Sequence, residues 1–376
     1  MINKNRFAFI AHPITPTHLC HIVGGLGGIA LGRLSNSALK GIMSNSPPIR
    51  LGVCKNVKSK LGMNIEGIGV ICPLLPDQFI SMSKDFVMSK IMEAINVAKK
   101  YEAKIVTLGG FVSIVGDEGM ELSKTVDGIA ITTGNTCTAA LVIEGIIKAS
   151  SMLNLDLKTS TMAIIGATGD IGSICSQIFS KKVKSLNIVA RKQQYLKEFS
   201  EAIKNHSNAE IRIFQYTSEA IKNADIVLTT TSSLTTLIEP KALKTKAIVC
   251  DVSIPPNISK EIVNVREDIL VFEGGLAKLP YHNKIDGKKW NKFIPGSRIY
   301  GCLTEAILLT FEKRFENYSI GRGHITEDKV QEMIGLMKKH SIEVSDFYCG
   351  NKHFTIQEIE KIKNIDGLRI ANKMGA

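Results

Sequence analysis

The sequence predicts an α/β fold, with an N-terminal α/β substrate domain at 1–155, a central Rossmann-type doubly wound parallel sheet at 156–295 and C-terminal helices at 296–376. Two observations carry this prediction. A strand, a glycine-rich turn, a helix and a second strand follow one another at 161–191, and further apolar runs continue the series to about residue 275. The length of 376 residues also allows two domains and a substantial core.

The first 155 residues contain strand-like apolar runs at 6–11 and 67–72, a helical apolar spacing over 83–101 and a strand at 104–108. This alternation is typical of an α/β domain. The segment at 25–30 also matches the dinucleotide fingerprint GxGxxA, but the nearest strand ends about fourteen residues earlier, with prolines between. We therefore expect a mobile loop or a cavity lining there rather than a phosphate loop.

The segment at 161–191 reads TMAIIGATGDIGSICSQIFSKKVKSLNIVAR. Its three glycines allow a tight turn, close approach of the backbone to a pyrophosphate, and close packing of the helix on the strand. The spacing is GxxGxxG rather than GxGxxG, so the prediction depends on the flanking strands and helix. The expected cofactor contacts are Gly166, Ala167, Thr168, Gly169, Asp170, Ile171 and Gly172 on the turn, and Thr230 and Thr231 after a later strand.

The second strand of this unit is followed by Arg191 and Lys192, with no carboxylate. An acidic side chain there would accept a hydrogen bond from the ribose 2′-hydroxyl of NADH, whereas a cation tolerates the 2′-phosphate of NADPH. Because the arginine fork matches phosphate geometry, we expect NADPH as the cofactor. The alternative is that both cations lie in a solvated turn.

A polar turn at 132–138, TTGNTCT, precedes an apolar helix. Its side chains could cap that helix or bind a ligand, and the residues leave both interpretations open. If a ligand binds, Thr133, Asn135 and Thr136 are the expected contacts. Later strands are predicted at 211–215, 225–230, 247–252 and 269–272, followed at 276–295 by a polar loop or flap that contains the single tryptophan.

Cys302 is the candidate catalytic nucleophile. Gly301 is the predicted N-cap of an apolar helix, which puts Cys302 in the first turn, where amide dipoles lower the pKa of a thiol. A thiolate near a nicotinamide suggests acyl transfer from a thioester followed by reduction. Glu305 could position or protonate the leaving group. The alternatives are that Cys302 is a buried packing residue and that Glu305 only favours the helix dipole.

Eight cysteines are spread along the chain without a CxxC pair, which predicts neither a disulfide framework nor a metal site and suggests a reducing, cytoplasmic compartment. The N-terminal apolar run is too short for a signal peptide, and no run reaches the ~18 residues of a membrane helix. The net charge of +12 would attract an acidic carrier protein or an anionic membrane face. No aromatic-studded basic motif indicates a nucleic-acid partner.

Five motifs stand in the order and approximate spacing of one known family: LGGFVSI at 108–114, TTGNTCTA at 132–139, IIGATGDIGS at 164–173, GCLTEAILLTFE at 301–312 and YSIGRGHIT at 318–326. The chain thereby resembles the long-chain acyl-[acyl-carrier-protein] reductases, the aldehyde-forming enzymes of cyanobacterial alkane biosynthesis. The resemblance implies that NADPH reduces a long-chain acyl thioester, carried by acyl-carrier protein or coenzyme A, through an acyl group on Cys302. It also implies substrate contacts at Gly109, Gly110 and Phe111, and an aldehyde-consuming enzyme as a partner.

The sequence departs from this family at three places. Cys137 replaces a histidine of the TTGNT motif, which puts a proton-transfer role there in doubt, and His324 replaces a glutamine. Residues 12–66 match poorly, so the acyl length and the carrier can differ. Two other functions stay open: a non-covalent shikimate- or amino-acid-type dehydrogenase, which would not need Cys302, and a non-catalytic NADPH-binding sensor.

Overall fold

The computed structural model describes residues 5–280, 290 and 298–365. The chain divides into two compact units, Met1–Thr138 with Leu276–Glu343, and Ala139–Gly275 with Val344–Ala376. This division differs from the predicted boundaries at 155 and 295, because the described residues of 276–343 group with the N-terminal part instead of forming a separate helical region. The reason is that the helix Gly301–Phe311 is almost wholly apolar and is buried on strands of the N-terminal sheet.

A five-stranded sheet is the basis of the first unit, in the order Ile49–Lys58, Asn64–Ile71, Arg6–Ala11, Ile105–Leu108 and Ala130–Thr132. The last four strands are parallel, and the first pairs antiparallel with its neighbour. Buried apolar side chains of these strands and of the helix Lys84–Lys100 form the core. Because parallel strands end at the same edge, the segments after Leu108 and Thr132 lie at one edge of the sheet.

The other helices of the first unit are Pro16–Val23, Gly25–Gly32, Asn36–Ser44, Pro76–Ser81, Phe111–Glu118, Met120–Thr125 and Glu327–His340. The long helix Asn135–Met152 begins in this unit and continues into the second. An antiparallel pair, Leu276–Lys278 with Arg298–Tyr300, precedes the helix Gly301–Phe311. Trp290 is fully buried, and its Nε1 donates a hydrogen bond of 2.9 Å to the carbonyl oxygen of Gly52.

Six parallel strands form the sheet of the second unit, in the order Glu210–Phe214, Ser185–Val189, Thr161–Ile165, Ile226–Thr229, Ile248–Asp251 and Leu270–Glu273. This is the strand order 3-2-1-4-5-6 of a Rossmann fold, which confirms the predicted doubly wound parallel sheet. The helices are Asp170–Ser180, Gln193–Lys204, Thr217–Ile221, Ile262–Val265 and Ile356–Lys363, with short 3₁₀ turns at Leu157–Thr159 and Pro240–Ala242. The remaining short strands are Glu343–Val344, Tyr348–Cys349 and Lys352–His353.

Two predicted loops differ in the structure. The segment at 25–30 belongs to the helix Gly25–Gly32. Within this helix Gly28 packs against the carbonyl oxygen of Cys20, where a side chain would not fit. The predicted flap at 276–295 starts with the strand Leu276–Lys278, and beyond residue 280 only Trp290 of it lies within the described residues. Among the described residues, no helix has both the length and the apolar character required to cross a bilayer.

Candidate active site

Cys302 lies in the first turn of Gly301–Phe311, hereafter the cysteine helix. The N-cap is Tyr300 rather than the predicted Gly301, and its side chain makes no capping hydrogen bond. Gly301 has a different purpose, since a Cβ atom on it would lie 2.6 Å from Cα of Thr138. Only glycine at this position lets the cysteine helix begin so close to the helix Asn135–Met152.

The polar turn at 132–138 packs directly on Cys302. Gly134 has a φ of +73°, and a Cβ atom on it would lie 2.0 Å from Cα and 2.5 Å from Cβ of Cys302. The hydroxyl of Thr107 donates a hydrogen bond of 2.9 Å to the carbonyl oxygen of Cys302. The backbone of the cysteine is therefore held by the carboxyl ends of two neighbouring parallel strands, where sheets of this kind bind ligands.

Glu305 is fully buried one turn farther along the cysteine helix. Its Oε1 accepts a hydrogen bond from the hydroxyl of Thr132. Its Oε2 accepts from the backbone N–H of Cys137 at 2.8 Å and from the hydroxyl of Ser319 at 3.0 Å. All three partners donate, as an ionised carboxylate requires. Glu305 therefore ties the cysteine helix to the polar turn.

Ser319 belongs to this network but was not predicted from the sequence as a site residue. Its hydroxyl lies 2.5 Å from the hydroxyl of Thr136 and accepts from the Thr136 N–H at 3.3 Å, and its carbonyl oxygen accepts from the hydroxyl of Thr133. Because Ser319 donates its own proton to Glu305, the Thr136 hydroxyl is the donor in their pair. The available signal was the motif YSIGRGHIT, in which Ser319 stands with a φ of +50°.

The pKa of the Cys302 thiol is raised to about 12, chiefly by burial and also by the charge of Glu305. Backbone hydrogen bonds at Leu303 and Cys302 lower this pKa, as expected in the first turn of a helix, but burial outweighs them. The predicted lowering is therefore wrong in sign. Burial likewise raises the pKa of the Glu305 carboxyl, and its hydrogen-bond donors, the Thr132 hydroxyl foremost, oppose this shift.

The predicted substrate segment at 109–111 follows the strand Ile105–Leu108, at the same sheet edge as the polar turn. His12 holds it, because Nε2 of His12 accepts a hydrogen bond of 3.0 Å from the N–H of Phe111. Nδ1 of His12 lies 2.9 Å from the carbonyl oxygen of Pro13 and must carry the ring proton, since a carbonyl only accepts. Burial lowers the pKa of His12 to about 4, so this unpredicted residue is neutral at pH 7.

The polar side chains of the turn all have partners within the first unit. Thr133 and Thr136 are buried and bond to Ser319, and Asn135 donates to Glu118 at 3.3 Å. Cys137 is fully buried, and burial raises its pKa well above the ordinary value of a thiol, so it is a poor proton donor. His324, the other departure from the reductase motifs, is exposed.

The glycine turn of the second unit has the geometry of a phosphate cradle. A Cβ atom on Gly172 would lie 2.1 Å from the carbonyl oxygen of Gly166, and one on Gly166 would lie 2.8 Å from that of Thr230. The helix Asp170–Ser180 begins at Gly169, which has no side chain to cap it. An uncapped helix N-terminus after such a turn binds phosphate, so the residues present fit a dinucleotide.

Polar residues at the carboxyl ends of the strands Ile226–Thr229 and Ile248–Asp251 form a second network. The hydroxyl of Thr230 lies against the glycine turn, and that of Thr231 donates to Oδ1 of Asn257 at 2.6 Å. Asp251 is buried and accepts from the hydroxyl of Thr229 at 2.5 Å and from the N–H of Asn257 at 2.7 Å. Burial raises the pKa of Asp251. Asn257 was not predicted, because it lies six residues beyond the end of the strand Ile248–Asp251 and stands in no motif.

Arg191 and Lys192 are exposed just beyond the strand Ser185–Val189. The ammonium of Lys192 lies 5.3 Å from the ring centre of Tyr195. This position is compatible with a bound 2′-phosphate and equally with a solvated turn, and the choice between NADPH and NADH stays a prediction.

Residues 148–273 match the Shikimate / quinate 5-dehydrogenase family, a stretch that includes all six strands of the second sheet. Together with the strand order and the glycine cradle, this match defines the class of the protein as an NAD(P)-dependent oxidoreductase of Rossmann type. The predicted enzyme class is confirmed at this level.

More distant similarity covers most of the chain. The chain is 28% identical to the long-chain acyl-[acyl-carrier-protein] reductase of Synechococcus elongatus, over 76% of this chain and 85% of the relative. It is 26% identical over 82% of its length to the aminotransferase PigE of Serratia sp., of which it spans only 36%. Among solved structures, L-tryptophan dehydrogenase from Nostoc punctiforme is 12% identical over 99% of this chain and 90% of that chain, with a TM-score of 0.42.

Proposed function

We propose that the protein reduces a long-chain fatty acyl thioester to the fatty aldehyde through an acyl group on Cys302, with NADPH as the reductant. The observation that carries this proposal is the position of Cys302, in the first turn of the cysteine helix and against Gly134, with the buried carboxylate of Glu305 one turn away. The similarity to the Synechococcus elongatus reductase supports the substrate class.

In the proposed first step, Sγ of Cys302 bonds to the carbonyl carbon of the thioester, and the bond from that carbon to the carrier sulfur breaks. The thiol proton of Cys302 leaves with the carrier thiol, so the step is balanced. The backbone hydrogen bonds at Cys302 and Leu303 that favour the thiolate can also stabilise the tetrahedral oxyanion.

Glu305 acts as a positioning residue in this proposal. Both of its carboxylate oxygens are occupied by donors from the chain, and it is fully buried. It therefore fixes the distance between the polar turn and the cysteine rather than passing a proton to the leaving group. This proposed role differs from the predicted one, in which Glu305 positions or protonates the leaving group.

Bound NADPH would supply a hydride to the carbonyl carbon of the acyl group. The bond from that carbon to Sγ of Cys302 then breaks, so that the aldehyde is released and Cys302 is left as a thiolate that takes up a proton. The residues proposed to hold its pyrophosphate are those of the glycine turn at 166–172, with Thr230 and Thr231 beside them. Arg191 is proposed to contact the 2′-phosphate, because its exposed guanidinium can form paired hydrogen bonds with phosphate oxygens.

The acyl carrier proposed is acyl-carrier protein, with coenzyme A as the alternative. The net charge of +12 favours an acidic carrier. Acyl transfer from acyl-carrier protein should therefore weaken with added salt more than transfer from coenzyme A does. Equal salt dependence of the two rates would remove the electrostatic argument for the protein carrier.

A second candidate function is a non-covalent dehydrogenase of the shikimate or amino-acid type. The match of residues 148–273 to the Shikimate / quinate 5-dehydrogenase family favours it. Such an enzyme transfers hydride to a substrate that never becomes bound covalently. It therefore predicts that replacing Cys302 leaves NADPH oxidation with the true substrate largely intact.

The test compares NADPH oxidation and aldehyde formation from a long-chain acyl thioester by the wild type, Cys302→Ser and Cys20→Ser. Cys20 is the matched control, because it is another cysteine of the first unit and lies outside the candidate site. We expect Cys302→Ser to lose at least about a thousandfold in aldehyde formation, and Cys20→Ser to retain it. Comparable activity in all three proteins would favour the non-covalent dehydrogenase.

A further inference from the structure

The helix Gly25–Gly32 shows large apolar side chains to solvent. Leu26 is 86% exposed and Ile29 is 58% exposed, and Ala30 and Arg33 are exposed as well. Positions 26, 29, 30 and 33 share one face of a helix, so these four side chains form one continuous strip. We call them the apolar stripe.

The opposite face of the same helix holds it on the first unit. Gly28 is the buried position, and a Cβ atom on it would lie 2.4 Å from the carbonyl oxygen of Cys20. Leu31 packs on a small cluster formed by Leu19, Leu39 and Met43. The apolar stripe is therefore directed away from this cluster, and packing on the cluster does not explain why the stripe is apolar.

The stretch of sequence that contains this helix has basic residues and no acidic ones. Residues 1–65 contain eight lysines and arginines and no aspartate or glutamate, and the first acidic residue of the chain is Glu66. This segment therefore carries eight of the twelve net positive charges of the protein. Arg33 within the stripe, and Arg50 and Lys55 beyond it, are exposed.

We propose that the apolar stripe docks the protein on the surface of an anionic lipid bilayer, with Leu26 and Ile29 inserted at the level of the head groups. An amphipathic helix that joins exposed aliphatic side chains to a cationic surround binds such surfaces. The stripe offers two large aliphatic side chains and one cation, Arg33, so insertion into an apolar phase contributes more to its binding than ion pairing with an acidic protein would. This inference is independent of the proposed function.

The test is flotation of the full-length protein with vesicles of phosphatidylcholine alone or with about 30% phosphatidylglycerol. We expect the wild type to float with the anionic vesicles, and added salt to weaken binding. The double variant Leu26→Glu/Ile29→Glu should bind these vesicles at least about tenfold more weakly. The control Ile356→Glu changes an isoleucine of the second unit that is 73% exposed, and it should bind like the wild type.

A variant that is expected to bind more tightly gives a second result that does not depend on correct folding of the double variant. Ala30→Leu enlarges the stripe at an exposed position and should raise vesicle binding by about threefold or more. The proposal is wrong if the wild type ignores anionic vesicles, or if neither the double variant nor Ala30→Leu changes the binding. It is equally wrong if the double variant changes only the KM for acyl-carrier protein, or only dissociates a dimer, because the stripe would then dock a carrier or a second copy.

Discussion

The reactivity of Cys302 should rise steeply with pH over the neutral range. With a pKa of about 12, the thiolate fraction is about 1 in 100,000 at pH 7 and about 1 in 1,000 at pH 9. The thiol loses its proton only as the pH rises through this pKa. While the pH is below the pKa, the thiolate fraction therefore increases about tenfold for each pH unit. Alkylation of Cys302 should accordingly accelerate about a hundredfold between pH 7 and pH 9.

The assay is the rate of carbamidomethylation of Cys302 by iodoacetamide, followed by mass spectrometry of the peptide that contains it. Reading the rate from this single peptide separates Cys302 from the seven other cysteines. A rate that reaches a plateau near pH 7 would refute the reasoning. Such a plateau would mean that the helix dipole outweighs burial, as the first-turn position alone predicts.

Three substitutions test the remaining contacts. Gly134→Ala should destabilise the protein by about 3 kcal/mol in urea unfolding and abolish acylation of Cys302, because its Cβ would meet the cysteine backbone at 2.0 Å. Glu305→Gln removes a charge that raises the pKa of Cys302, so alkylation at pH 8 should accelerate about three- to tenfold. Arg191→Asp should raise the Michaelis constant for NADPH far more than that for NADH.

Each substitution has a matched control. Gly128→Ala places alanine at a φ of +75° with no atom within 4 Å, so it should cost only about 1 kcal/mol, and an equal loss at both glycines would contradict the contact with Cys302. Glu102→Gln changes an exposed carboxylate of the same unit and should leave the alkylation rate unchanged. Lys197→Asp changes an exposed cation on the helix after Arg191 and should leave both Michaelis constants unchanged. If Arg191→Asp changes the Michaelis constants for NADPH and NADH equally, Arg191 lies in a solvated turn.

The Rossmann unit could be predicted from the sequence because its signals are local. Most of its strands are short apolar runs, and the glycine turn stands between the first strand and its helix. Predicted and observed strands therefore agree within about one residue at each end. The strand Ile49–Lys58 could not be predicted in this way. It contains Gly52 and pairs with irregular register, and only its antiparallel neighbour defines it.

The candidate site could be predicted only in part, because its contacts join distant segments. Cys302 and the polar turn were singled out by helix position and motif, but the donors to Glu305 come from residues 132, 137 and 319. The sign of the pKa shift of Cys302 depends on burial by these same segments. A sequence shows the helix N-terminus that lowers this pKa, and it does not show the surrounding atoms that raise it.

The central claim is that Cys302 carries the acyl group, and intact-mass spectrometry tests it most directly. The wild type and Cys302→Ser are incubated with a long-chain acyl thioester in the absence of NADPH and then weighed. We expect a gain of one acyl group on the wild type alone, discharged as aldehyde when NADPH is added. No gain of mass in either protein, with NADPH oxidation retained by the variant, would contradict it.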